Sequence, residues 1–189
     1  SQHRLPIFLD LRDRRALVVG GGPVAARRAV DLVAAGAVVE VVAPYVCEDL
    51  VDLVGRGALR WSPREFRQED LSGTWLVVTA TGERVVDDGV VAAADKARVW
   101  AVNSADSGSS PAWSATSSRV EDGVSIAVSG GGDPRRAVAI RQRIEQLLGE
   151  GELPLRRLRG RSAGGSGGSG TGDTALVRRP GRVYLVGGG

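Results

Sequence analysis

Zinc-type chemistry is the first thing this sequence lacks the means for: it holds one cysteine, Cys47, and one histidine, His3. A zinc site draws three or four ligands, mostly His and Cys, so no such cluster can be assembled and no metal ligands are expected. The lone cysteine also excludes an intramolecular disulfide and fits a reducing compartment, the cytoplasm. Methionine is absent altogether, which reads as a trimmed or partial chain. Aromatic residues make up only 4%, so the core must be built from Val, Ala and Leu. No apolar run approaches the roughly 20 residues of a membrane helix, and there is no signal-peptide core, so no membrane partner is expected. The formal charge of +3 is small, although the isoelectric point is about 9.7. Arginines crowd into Leu155–Arg161 and Val177–Arg182 without interleaved aromatics to stack on bases. Those stretches read as solvated tails, and nucleic acid is not an expected partner.

What is present is an ordinary globular composition, 42% hydrophobic and 25% charged over 189 residues. It is organised around Leu17–Ala25, Leu-Val-Val-Gly-Gly-Gly-Pro-Val-Ala. An apolar run stops at three glycines and a helical pattern follows. Gly20, Gly22 and Ala25 keep the G-x-G-x-x-G/A spacing of a dinucleotide-binding turn. The first glycine permits the bend, the second lets a pyrophosphate approach the backbone, and the small third residue lets helix and strand pack closely. The free N–H groups at the helix start, in the turn that holds Gly21, Pro23 and Val24, would face the phosphates, Pro23 itself having none to offer.

The pattern then alternates. Arg15–Val19, Val38–Val42, Leu59–Ser62, Trp75–Ala80 and Val99–Val102 read as buried strands. Helical spacing covers Pro23 to about Ala35, Cys47–Val54 and Glu83–Lys96, the last with Val85, Val86, Val90 and Ala93 or Ala94 as its apolar side. This order predicts an α/β fold, a Rossmann-like parallel sheet. Ligands of such sheets sit beyond the carboxyl ends of the strands. Gly20–Gly22, Pro44 and Tyr45, Thr79 to Gly82 including Thr81, and Asn103–Asp106 all fall at those ends and can surround one cofactor. Glu40 lies about 20 residues past the turn, where an acid often meets a ribose, but inside the strand rather than at its end. The lack of an arginine at that strand end favours NAD over NADP.

After Asn103 the rhythm changes. Ala112–Ser118 and Val124–Val128 read as strands, and Ser129-Gly130-Gly131-Gly132-Asp133-Pro134 leads into a helix from about Arg135 to Leu148, with Asp133 as its cap. Two strands and a helix are too small to bury a core alone, so a small α+β dimerisation unit is expected, with Trp113 packing in it. The Ser129–Gly132 loop reads equally as a capped turn or as a set of amides for substrate carboxylates. The expected divisions are therefore 1–112 for the nucleotide-binding domain, 113–150 for the dimerisation and substrate unit, and 151–180 for a Gly/Ser-rich linker. Residues 181–189 are expected to be a new strand and glycine turn, the start of a truncated second domain.

With these pieces in order, the chain resembles the precorrin-2 dehydrogenase/sirohydrochlorin ferrochelatase family, the N-terminal part of siroheme synthase. The resemblance runs from Leu5 to about Leu148. It rests on Leu-Pro-Ile-Phe, on Val-Gly-Gly-Gly-Pro-Val-Ala-Ala-Arg-Arg-Ala, and on Val-Val-Ala-Pro, Val-Thr-Ala-Thr, Val-Asn-Ser-Ala-Asp and Ile-Ala-Val-Ser-Gly-Gly-Gly. The tail from Gly181 resembles the opening strand of the fused uroporphyrinogen-III methyltransferase domain. The resemblance implies NAD-dependent oxidation of precorrin-2 to sirohydrochlorin by a homodimer, followed in many members by insertion of ferrous iron as a substrate. It implies that Asp106 serves both steps as the base. On its own, Asp106 reads as a loop aspartate closing an Asx-turn. The family's aromatic-x-x-Pro-Ala pattern is reduced here to Trp113, and Gly130 stands where some members carry a phosphorylatable serine. A different class of function, an NAD(H)-sensing module without chemistry, shares the same turn and sheet and would not need Asp106.

Overall fold

In a computed structural model, described over residues 5–106, 108, 110–119 and 124–153, five parallel strands form one sheet in the order β3-β2-β1-β4-β5. They are β1 Arg15–Val19, β2 Val38–Val42, β3 Arg60–Ser62, β4 Leu76–Thr79 and β5 Trp100–Asn103. The helices between them are α1 Pro23–Ala34, α2 Glu48–Gly55 and α3 Arg84–Ala97, with a 3₁₀ turn at Gln68–Leu71. Near-continuous Val, Leu and Ala runs form β1 and β4 because both of their faces are covered, as a parallel sheet requires.

Side-chain alternation sorts the core into two layers. Ala16, Val18, Val39, Val41, Leu76, Val78 and Val102 pack under α1 and α2, against Ala25, Ala26, Ala29, Leu32 and Leu50. Leu17, Val19, Val42, Val77 and Ala101 face α3 and the 3₁₀ turn. Three alanines on one stripe of α1 let that helix approach β1 closely, which brings its N-terminus directly over the end of the strand. Strand order reverses between β1 and β4, so the crevice opens beside the glycine turn.

Several expectations are corrected. On α3 the buried face is Asp87, Val90, Val91, Ala93 and Ala94, whereas Val85 is 87% exposed and Val86 38% exposed. Residues 87, 90, 91 and 94 share one helical face, and 85 and 86 lie off it. The strand expected over Ala112–Ser118 begins later, as β6 Thr116–Arg119. Ala112 instead donates its backbone N–H to Ala101 at 3.1 Å and packs on the main core. β6 pairs antiparallel with β7 Ser125–Val128, and α4 Pro134–Gly149 lies against both. Asp133 caps α4, its carboxylate accepting the amides of Arg135 and Arg136 at 2.9 and 3.2 Å.

The described residues cluster as one unit that contains both sheets. The expected linker beyond residue 153 and the strand at 181–189 lie outside the described residues. No helix among the described residues is long and apolar enough to cross a membrane. The Leu-Pro-Ile-Phe lead-in ends at the amino ends of the strands, where Phe8 shares a concavity with Trp75 and Trp100, far along the strands from the glycine turn.

Candidate functional site

Hydrogen bonds between the strand-end loops assemble the site. The Gly20 amide donates to the Val42 carbonyl at 3.1 Å, and the Cys47 amide to the Gly21 carbonyl at 2.8 Å, which ties the glycine turn to the loop after β2. The Ala80 amide donates to Val19 at 2.8 Å, and the Ser104 amide to Thr79 at 3.0 Å, which adds the loops after β4 and β5. Four of the five expected segments therefore meet at the carboxyl edge. The fifth, Ser129–Gly132, is placed by α4: a Cβ on buried Gly130 would overlap the Asp133 carbonyl and sit 3.0 Å from the Ala137 nitrogen. Gly130 is a packing glycine, and Gly131 and Gly132 adopt positive φ, +67° and +99°.

Within the glycine turn the three residues do different work. Gly20 has φ +126°, and a Cβ there would run into the Ala80 carbonyl. A Cβ on Gly21 would overlap the Tyr45 carbonyl oxygen. Both are glycine because neighbouring loops press on them. Gly22 differs: with φ −84° any residue could adopt its backbone, and a Cβ there would meet nothing within 4 Å. Its lack of a side chain keeps space open at the start of α1. Pro23 has no N–H, helix geometry leaves the Val24 and Ala25 amides without a carbonyl one turn back, and no side chain caps them. The first turn of α1 carries no acidic residue to offset the helix dipole. Open space, unclaimed donors and uncompensated positive potential together fit a dinucleotide pyrophosphate.

Beside the turn, Pro44 and Tyr45 are exposed, Tyr45 at 86%, and present a rim where an adenosine could lie. Thr79 and Thr81 are placed at the crevice, but their hydroxyls are turned away from it. Both donate to the carboxylate of Asp87, a fully buried residue on α3 that the sequence reading missed. The available signal was an aspartate in register with Val90, Val91 and Ala94, a polar residue on an apolar stripe.

Asn103, 4% exposed, ends β5. Its side-chain oxygen accepts the amides of Ala105 and Asp106 at 2.9 and 3.1 Å, which folds the loop back over the strand end. Asp106 is exposed on that loop, and its Oδ1 accepts the Gly108 amide at 2.8 Å. The Asx-turn suggested by the sequence is therefore present, and it also fixes the direction of the Asp106 carboxylate on the loop after β5. Among the described residues no group of three His, Cys, Asp or Glu side chains could hold a metal ion.

Glu40 plays no part here. It sits mid-strand, paired with Arg15 at 2.9 Å and accepting the Ser62 hydroxyl at 2.8 Å. Burial pushes its carboxyl up, but the Arg15 and Ser62 hydrogen bonds outweigh that and hold it below the usual range.

Residues 7–112 match a family model described as putative NAD(P)-binding. The siroheme synthase of Photorhabdus laumondii is 40% identical over 145 residues, 76% of this chain and 31% of that protein. The siroheme synthase of Chromobacterium violaceum is 40% identical over 153 residues, 80% of this chain and 32% of that protein. The chain thus spans about a third of the length of these curated relatives. A solved structure of SirC, precorrin-2 dehydrogenase, superposes with a TM-score of 0.64 at 26% identity, covering 76% of this chain and 70% of that one.

Proposed function

The chain belongs to the putative NAD(P)-binding family, and from that premise we propose that it oxidises precorrin-2 to sirohydrochlorin with NAD in siroheme synthesis. The likeness to siroheme synthases and to SirC, precorrin-2 dehydrogenase, supports this substrate. One observation carries the reading: an exposed carboxylate, Asp106, stands on a loop hydrogen-bonded through Thr79 to the strand whose next residue braces the glycine turn. Base and cofactor cradle are thereby held at one strand edge.

The oxidation removes a hydride and a proton from the macrocycle. When bound, NAD supplies the hydride acceptor. The Val24 and Ala25 amides hold its pyrophosphate, the Pro44–Tyr45 backbone borders its adenosine, and the loops at Thr81 and Asn103 shape the far wall. Asp106 takes the proton, as a carboxylate within hydrogen-bond reach can. Amides of the Ser129–Gly132 loop receive substrate carboxylates, a role that a two-fold homodimer supports if it brings the loop of one subunit to the crevice of its partner.

Iron insertion is an extension of the same site. The macrocycle supplies four nitrogen ligands, so the protein needs a base for the pyrrole protons and no metal cluster of its own. The lone thiol Cys47 supports a reducing, cytoplasmic setting.

A single assay separates this from an NAD(H)-sensing module. Precorrin-2 and NAD should yield NADH absorbance with the wild-type chain. NADH binding without any turnover would instead favour the sensor.

A further inference from the structure

The loop between β4 and α3 touches both halves of the site, and a side chain outside the site holds it. Asp87, in the first turn of α3, has no exposed surface. Its Oδ1 accepts the Thr79 hydroxyl, the Thr81 hydroxyl at 2.8 Å and the Thr81 amide at 3.1 Å. These bonds fasten the last residue of β4, and the loop two residues on, to the helix. Valine at this position would continue the apolar face of Val90, Val91 and Ala94. A carboxylate there is costly unless its hydrogen bonds are made, and its second oxygen is buried without a hydrogen bond in the structure. Burial alone does not account for the choice of residue.

From Thr79 the constraint runs two ways. Ala80 donates to Val19 at 2.8 Å, and its carbonyl presses on Gly20 so closely that a Cβ could not fit. In the other direction the Thr79 carbonyl accepts the Ser104 amide at 3.0 Å, next to Asn103, whose side chain sets the Asp106 loop. We propose that Asp87 is a positioning residue that fixes Thr79–Thr81 and so sets the spacing between the glycine turn and the Asp106 loop. This rests on the NAD-dependent reading above.

The test compares Asp87→Ala and Asp87→Asn in the full chain, with NADH binding followed by its fluorescence and folding by thermal melts. Asp87→Ala should weaken NADH binding about tenfold and raise KM for NAD by a similar factor while still folded at the assay temperature, the scale of a lost hydrogen-bonding acceptor. Asp87→Asn keeps an acceptor oxygen and should stay within about threefold of wild type. A folded Asp87→Ala that binds NADH as wild type does, or an Asp87→Asn no better than the alanine, overturns the proposal. Amide exchange on the wild-type chain tests it even if the alanine variant fails to fold. NADH should slow exchange at Thr81 and Asp106 together, and protection at the glycine turn alone overturns the linkage. A wild-type chain that binds no NADH overturns the parent reading as well; wild-type binding with an unchanged Asp87→Ala overturns this inference alone.

Discussion

Asp106 carries the proposed chemistry, yet little distinguishes it from any loop aspartate except what holds it. Asn103 is buried and spends its side-chain oxygen on two loop amides, one of them that of Asp106 itself. Replacing Asp106 by Asn preserves size and the acceptor for Gly108 but removes the base. General-base contributions run to roughly 10²–10⁴ in rate, so kcat should fall by about that factor. NADH affinity should change less than about twofold, since Asp106 stands on the loop after β5, two strands away from β1 and its glycine turn. Steady-state rates with precorrin-2 beside an NADH titration check both halves, and undiminished turnover removes Asp106 from the mechanism. Asn103→Ala should act differently, lowering stability by about 1–3 kcal/mol by stranding two amides. Its kcat loss should be partial, because the carboxylate is still there.

Among the elements, the glycine turn makes a prediction that its sequence spacing alone could not. Three adjacent glycines look alike in the sequence, but only Gly20 and Gly21 are pressed by protein backbone, while Gly22 faces open space. Gly21→Ala should therefore cost stability, on the order of 1–3 kcal/mol for overpacking, before any effect on ligand. Gly22→Ala should melt within about 2 °C of wild type, in line with a near-neutral surface change, and yet lose NADH affinity at least about tenfold, because its methyl occupies the phosphate space. Thermal melts beside NADH titrations separate the two, and a Gly22→Ala that binds normally puts the pyrophosphate elsewhere. The turn and the β1, β2, β4 and β5 loops were legible because apolar runs, glycines and Pro44 mark strand ends directly. Asp87 was not. The run Val85–Val86 imitated an apolar face, and which valines face inward depends on where α3 starts relative to the sheet. Gly130 was likewise ambiguous, since its need for no side chain comes from Asp133 and Ala137 folding back over it.

At the scale of the whole molecule, the sheet is held along its β3 side by charge as well as by burial. Arg15 reaches from β1 to Glu40 on β2 at 2.9 Å and to the Ser72 carbonyl at 2.5 Å, and Ser62 of β3 joins the same carboxylate. Farther along, Arg64 pairs with Asp70 at 2.6 Å, while the Arg67 amide donates to the same carboxylate at 2.9 Å. The Arg64 hydrogen bond, against the opposing effect of burial, holds the Asp70 carboxyl below its ordinary 3.8, and Glu40 sits below its ordinary 4.5. Below neutral pH the unfolded chain therefore binds protons before the folded one does, so stability rises with pH across this range. The contribution is fully present above about pH 5 and is lost as the pH falls through the ordinary values toward the lowered ones. Denaturant melts from pH 7 to pH 3 should show a steep acid limb in the wild type. Asp70→Asn should be less stable at pH 7 by about 1–3 kcal/mol, because Arg64 and the Arg67 amide lose a charged acceptor. Its acid limb should be shallower, and shallower still with Glu40→Gln added. An unchanged slope in the double variant would mean that carboxylates elsewhere set the acid limit. The glycine turn and the Asp106 loop lie on β1, β4 and β5, so the same variants should leave NADH affinity at pH 7 within about twofold of wild type. That separation would place the stabilising charges and the functional charges on opposite sides of β1.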